Sequence, residues 1–171
     1  MALTYTAIAT VTVGSGGAAN IEFTSIPGTY TDLLIKFSGR ASTTETAFSL
    51  QFNGNTSTAN YSYRTLQGDG ANVSSTNETS LGFIGARINP SDSTASTFGN
   101  AEIYIPNYAS SNQKSVSIDS VSENNATTAR MMLTAGLWNQ TSAITSIKLY
   151  VVSANLAQYS TATLYGIKNT V

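Results

Sequence analysis

The sequence predicts an all-β protein, an antiparallel β-sandwich of about ten strands, and three observations carry that expectation. β-Branched and aromatic residues recur with period two along most of the chain. Clusters of Gly, Asn, Ser and Asp break these runs at short intervals, as turns do. No segment sustains the 3.6-residue apolar period of an amphipathic helix.

Taken in order, residues 3–13 carry Leu3, Tyr5, Val11 and Val13 at odd positions and mostly Thr at even ones, a half-buried strand able to serve as an N-terminal arm. Gly14-Ser15-Gly16-Gly17 closes it as a flexible turn; without a following Lys or helix it does not read as a phosphate-binding loop. Ile21 and Phe23 continue the β pattern up to a turn at Ile26-Pro27-Gly28-Thr29, and Leu33, Ile35 and Phe37 form the next clear strand. Phe48, Leu50 and Phe52 alternate with Ser49 and Gln51 and run into Asn53-Gly54, two residues that tolerate positive φ.

Further strands are expected over residues 60–66, 81–88 and 100–105, the last ended by Pro106, which has no ladder donor. Residues 67–77 read as a polar loop, and Asn89-Pro90-Ser91-Asp92 as another. Strands over 114–121, 130–138, 144–152 and 161–168 complete the set. Residues 153–159 are the one place for a brief helical turn, against their Asn and Ser content.

A chain of 171 residues suits one domain, 1–171, with residues 1–18 as arm and Gly-rich turn. Charged residues make up 10% of it and the net charge is -1, with eight Lys and Arg scattered singly. Nucleic-acid binding requires clustered cations, and a membrane-surface helix requires a basic face, so neither is expected. The N-terminus has no basic region followed by a long apolar run and does not read as a signal peptide, and the apolar runs are too short to span a bilayer.

The chain contains no Cys and no His. That excludes disulfides, thiolate nucleophiles, Ser-His-Asp hydrolysis and the usual transition-metal sites, and no cofactor is expected. Glycoside hydrolysis survives, because it needs only two carboxylates. Among nine Asp and Glu, Glu102 on an apolar strand is the candidate acid, with Asp119 or Glu123 as its partner. Gly68-Asp69-Gly70 and residues 119–125 offer oxygen ligands for calcium without the spacing of an EF-hand, and turn geometry is the simpler account of both.

Trp138 with Tyr61, Tyr63, Tyr104 and Tyr108 are candidates for a sugar-stacking platform, with Arg64 placed to stack or to bond acidic sugars. Core and subunit interface are the competing assignments for each ring, since large aromatics dominate both. The Asn-x-Ser/Thr triplets at Asn55, Asn60, Asn72, Asn77, Asn125 and Asn139 are what chance supplies in a chain this rich in Asn, Ser and Thr.

Four segments carry a resemblance: SIPGTYTDLLIKFSGR at 25–40, SLQFNGNTSTANYSYRTLQGDG at 49–70, AEIYIPNYASSNQKSVSIDSVSENNA at 101–126 and AGLWNQTSAITSIKLYVVSANLAQYSTATLYGIK at 135–168. Together they resemble a family of phage-encoded virion proteins, often of aquatic phages, that occur alone or as modules of tail-fibre and head-surface proteins. TATLYGIK is the most family-like piece. The resemblance implies a jelly-roll-like domain on the virion surface, assembled as a homo-oligomer with a trimer favoured, and it transfers no catalytic residues. Capsid decoration or a short head fibre is the leading expectation, with major capsid or tail proteins as further partners. The alternative is a tail-fibre tip or carbohydrate-binding module that recognises host surface glycans, and a glycan-cleaving spike is the third reading.

Overall fold

The computed structural model describes residues 5–80, 82–125 and 129–168, and among them twelve strands form two antiparallel sheets. In chain order they are β1 (Tyr5–Thr12), β2 (Asn20–Phe23), β3 (Asp32–Gly39), β4 (Ala47–Phe52), β5 (Tyr61–Gly68) and β6 (Val73–Thr79). There follow β7 (Phe83–Arg87), β8 (Gly99–Ile105), β9 (Lys114–Ser122), β10 (Arg130–Trp138), β11 (Ile147–Val151) and β12 (Thr161–Ile167). A 3-10 turn, Thr58–Asn60, is the only helical element among the described residues.

The larger sheet has the order β1-β12-β3-β8-β9-β10-β5-β6, and the smaller has β2-β11-β4-β7. Two hairpins, β5–β6 and β9–β10, lie side by side beyond β8. With these set aside, the remaining eight strands, numbered along the chain, pair as 1-8-3-6 and 2-7-4-5, the strand order of a jelly roll. The fold is therefore an antiparallel β-sandwich of jelly-roll order in which two inserted hairpins double the width of one sheet.

Alternation along the strands builds the core between the sheets. β8 buries Ala101, Ile103 and Ile105 and turns Asn100 and Glu102 to solvent, and β9 buries Val116 and Ile118 between exposed Ser115, Ser117 and Asp119. Opposite them, Phe48, Leu50 and Phe52 of β4 and Ile147, Leu149 and Val151 of β11 are fully buried, each worth about 1.5–3 kcal/mol in transfer free energy. Phe37 stacks on Phe48 across the sandwich with ring centroids 4.3 Å apart. Gly136 faces inward beneath the Phe83 ring, where a Cβ would meet ring carbon at 2.6 Å, so only a glycine lets β7 lie this close to β10.

Local chemistry closes the loops. Asn53 and Gly54 adopt φ of 50° and 63°, as the sequence predicts, and the Asn53 carboxamide ties the turn to the loop before β11 by accepting from Thr145 N and donating to Ala143 O, both at 2.8 Å. Arg40 donates to the carbonyls of Ser91, Ser93, Thr94 and Thr97 at 2.8–2.9 Å, so one guanidinium gathers the loop between β7 and β8. Lys114, 1% exposed, points its ammonium into the carbonyls of Ser110, Asn112 and Thr141. The 14–17 turn ends at Gly17 with φ of 73°, where a Cβ would lie 2.8 Å from the Leu156 carbonyl.

Three expectations need correction. The strand count is twelve rather than about ten, chiefly because β6 occupies the stretch read as a polar loop. All seven of its residues are exposed at the sheet edge, so no apolar period marked it. Residues 153–159 form no helical turn; they are a looped segment whose Leu156 bridges to Ala18 and Ala41 and is fully buried. In β1 the odd-position pattern fails at a bulge between Ala7 and Ala9, which leaves Tyr5 outside, Ile8 and Val11 packed on the core, and Val13 buried beyond the strand end. Leu3 lies outside the described residues. β1 pairs with β12 of its own chain.

Candidate functional site

The six candidate residues separate by strand parity and by loop. Tyr61, Tyr63 and Thr65 share the inner face of β5, while Arg64 and Leu66 share its outer face. Tyr61 is wholly buried, with its ring edge-on to Phe83 at 5.1 Å and its hydroxyl donating to the Asn55 carbonyl at 3.1 Å. Burial pushes its phenol up to about 12. Tyr63 is buried too; desolvation first, and then its hydrogen bond to Glu78 Oε2 at 2.7 Å, raise its phenol well above the ordinary tyrosine value.

Trp138, 1% exposed, packs edge-on against Phe52 at 5.4 Å, and its Nε1 has no hydrogen-bond partner among the described residues. Tyr108 is fully buried in the connection between β8 and β9, and its hydroxyl donates to the Pro27 carbonyl. These four rings are core and offer no face to a ligand at the surface of the chain. Only Arg64 and Tyr104 of the six stand on the outer surface of the larger sheet. Tyr104 is half-buried and donates from its hydroxyl to Asp32 Oδ2 at 2.9 Å, and Arg64 is exposed with a long hydrogen bond to its neighbour's carbonyl at 3.4 Å.

The register brings together two carboxylates that are far apart in sequence. Glu102 of β8 lies directly opposite Asp119 of β9, and both point outward. Lys36, opposite Glu102 on β3, forms an ion pair with it, and the two side chains remain 55% and 48% exposed. Carboxylates this open lack the enclosure that sets a general acid apart from its partner. Glu123 is engaged elsewhere, accepting from the backbone N–H groups of Asn124 and Asn125 at 2.8 and 2.7 Å. Asp69 likewise accepts from the N–H groups of Ala71 and Asn72 at 2.9 and 2.6 Å, which holds its carboxyl below the usual range and marks 69–71 as an Asx turn. Among the described residues no three Asp or Glu converge as a metal site.

Two concavities bear on the candidate residues and the charged groups near them. One is a trough of about 450 Å³ across the outer faces of β5, β10, β9 and β8, floored by Leu66, Leu133 and Ala135 and flanked by Arg64 on one side and Asp119, Glu102 and Tyr104 on the other. The other is a polar cleft of about 390 Å³ that holds Arg87, Arg130 and Asp92. Arg87 donates to Thr46 Oγ1 at 2.9 Å, and its basicity is lowered first by burial and then by the neighbouring Arg130 charge.

A further surface feature is β10 itself. Its inner positions are Met132, Thr134, Gly136 and Trp138; its outer positions are Met131, Leu133, Ala135 and Leu137. Both parities are dominated by apolar residues, a pattern of strands covered on two sides, and it is legible in RMMLTAGLW. No protein-family model, curated protein or solved structure matches the chain, so the fold and this surface carry the functional reading.

Proposed function

We propose that this protein is a non-enzymatic structural component of a bacteriophage virion surface, made in the host cytoplasm and assembled as a homo-oligomer, with a trimer favoured. Capsid decoration or a short head fibre is the role that suits it best. The observation that carries the reading is the strand order. The segments that resemble phage virion proteins imply a jelly roll, and the eight strands left when the two hairpins are set aside have that order. A fold does not itself specify function, so the surface has to supply the second support. Here the widened sheet carries an exposed apolar stripe centred on β10 and suited to assembly. The open geometry of Glu102, paired with Lys36, and of Asp119 favours a structural role over glycan cleavage. A carbohydrate-binding fibre tip is the weaker reading, because it retains at the surface only Arg64 and Tyr104 of its six candidates.

Imaging of purified particles tests the proposal. Density for this chain at symmetric positions on the capsid is the expected result. Density at the distal ends of tail appendages would transfer the reading to receptor binding, and particles that lack the chain would overturn it.

A further inference from the structure

We propose that the outer face of the β5–β6 and β9–β10 hairpins is the self-association surface of this protein, and that its occupant is a second copy of the same chain. The inference rests on the reading of the protein as an assembly component and identifies the surface that assembles.

Five of the seven large apolar side chains left exposed among the described residues lie together here: Leu66 (49%), Val73 (76%), Met131 (61%), Leu133 (53%) and Leu137 (37%). Cross-strand register makes them contiguous. Leu66 pairs with Leu133, and Gly68 brings Val73 and Met131 onto one row, with Ala135 linking Leu133 to Leu137 along β10. Their combined exposed area is on the order of 500 Å², in the roughly 300–600 Å² range of the largest, often functional, patch on a protein surface and over half of the roughly 800 Å² each partner gives to a stable interface. The jelly-roll half of the same sheet is more polar: its outer positions include Lys36, Ser38, Asn100, Glu102, Thr161 and Thr163, while Leu34, Tyr104 and Tyr165 on that face are buried or half-buried and Tyr5 is exposed at the β1 edge. The exposed aliphatic side chains lie on β5, β6 and β10 of the inserted hairpins.

Charge selects a copy of this chain as the occupant. The apolar stripe on β10 has Arg64 on its β5 side and Asp119 on its β9 side. Rotation about an axis parallel to β10 brings the β5 flank of one copy against the β9 flank of the next, so that a cation meets an acid while the stripes bury each other. Arg64 makes no ion pair within its own chain among the described residues. Glu102 is already matched by Lys36, which leaves Asp119 as the acid presented to a neighbour.

The test is the solution mass of the intact chain, by light scattering at its highest soluble concentration, for wild type and for variants shown by circular dichroism to be folded. Wild type is expected to be oligomeric. Leu133→Asp should be monomeric, whereas Ser38→Asp, an outward change on the polar half, should keep the wild-type mass. Arg64→Asp should weaken association by about tenfold or more, and Arg64→Asp combined with Asp119→Arg should recover it. A monomeric wild type, or a Leu133→Asp variant with the wild-type mass, would overturn the inference. A dimer lost in Leu133→Asp would sustain this surface and overturn the trimer, while the virion reading stands or falls separately on the particle images.

Discussion

At the scale of single residues, Trp138 separates the two uses that an aromatic-rich sequence leaves open. Its ring fills the space between Phe52 and Tyr61 with 1% exposure, so truncation leaves a cavity that the surrounding strands cannot close. Trp138→Ala is expected to cost about 3–5 kcal/mol in urea unfolding. A loss near zero with the fold retained would return Trp138 to the surface candidates. Tyr61 and Tyr63 are core for a reason that single residues do not reveal: they share parity with Thr65, and which parity of β5 faces inward depends on the smaller sheet above it. Glu102 and Asp119 show the same limit, since their opposition is a register between β8 and β9.

At the scale of elements, β1 is an edge strand held to β12 over seven register pairs with one bulge. It covers the end of the larger sheet with Ile8 and Val11. Deleting residues 1–13 removes this cover together with buried Val13 and leaves the β12 edge unpaired, an open template for other strands. The truncated chain is expected to unfold at lower temperature and to aggregate, as monitored by thermal melting with light scattering; an unchanged midpoint and particle size would show that β1 contributes nothing to the fold. β3, β4 and β8 were legible because each sets a regular apolar alternation against one core. β6 was not, because a strand exposed on both faces has no alternation to show.

At the scale of the whole molecule, the buried phenols make stability depend on alkaline pH. Burial raises the pKa of Tyr61, Tyr63, Tyr104 and Tyr108 in the fold, Tyr61 to about 12 from its ordinary 10.0. A raised folded pKa gives stability that is complete below the unfolded value and is lost as pH climbs through the folded one. Stability is therefore expected to fall from about pH 10 toward pH 12, with the tyrosinate absorbance of the buried phenols appearing together with unfolding. Lys114, lowered by burial, acts in the opposite sense and offsets a part of this loss. Ionisation of all nine tyrosines at their ordinary value while the chain stays folded would contradict the core placement of Tyr61 and Tyr63.

The sequence by itself determined the all-β class, most strands, the Asn53-Gly54 turn and the absence of Cys and His chemistry, because alternation, turn conformation and side-chain inventory are local properties. The double apolar parity of β10 was also present in the sequence, although its meaning required knowing that only one face is covered. Tertiary structure alone decided the jelly-roll order, the fate of the five aromatic candidates, the pairing of Glu102 with Asp119 and the place where the apolar outer face lies. These depend on which distant strands become neighbours and which side of each sheet receives the other, and period-two alternation is the same for either choice.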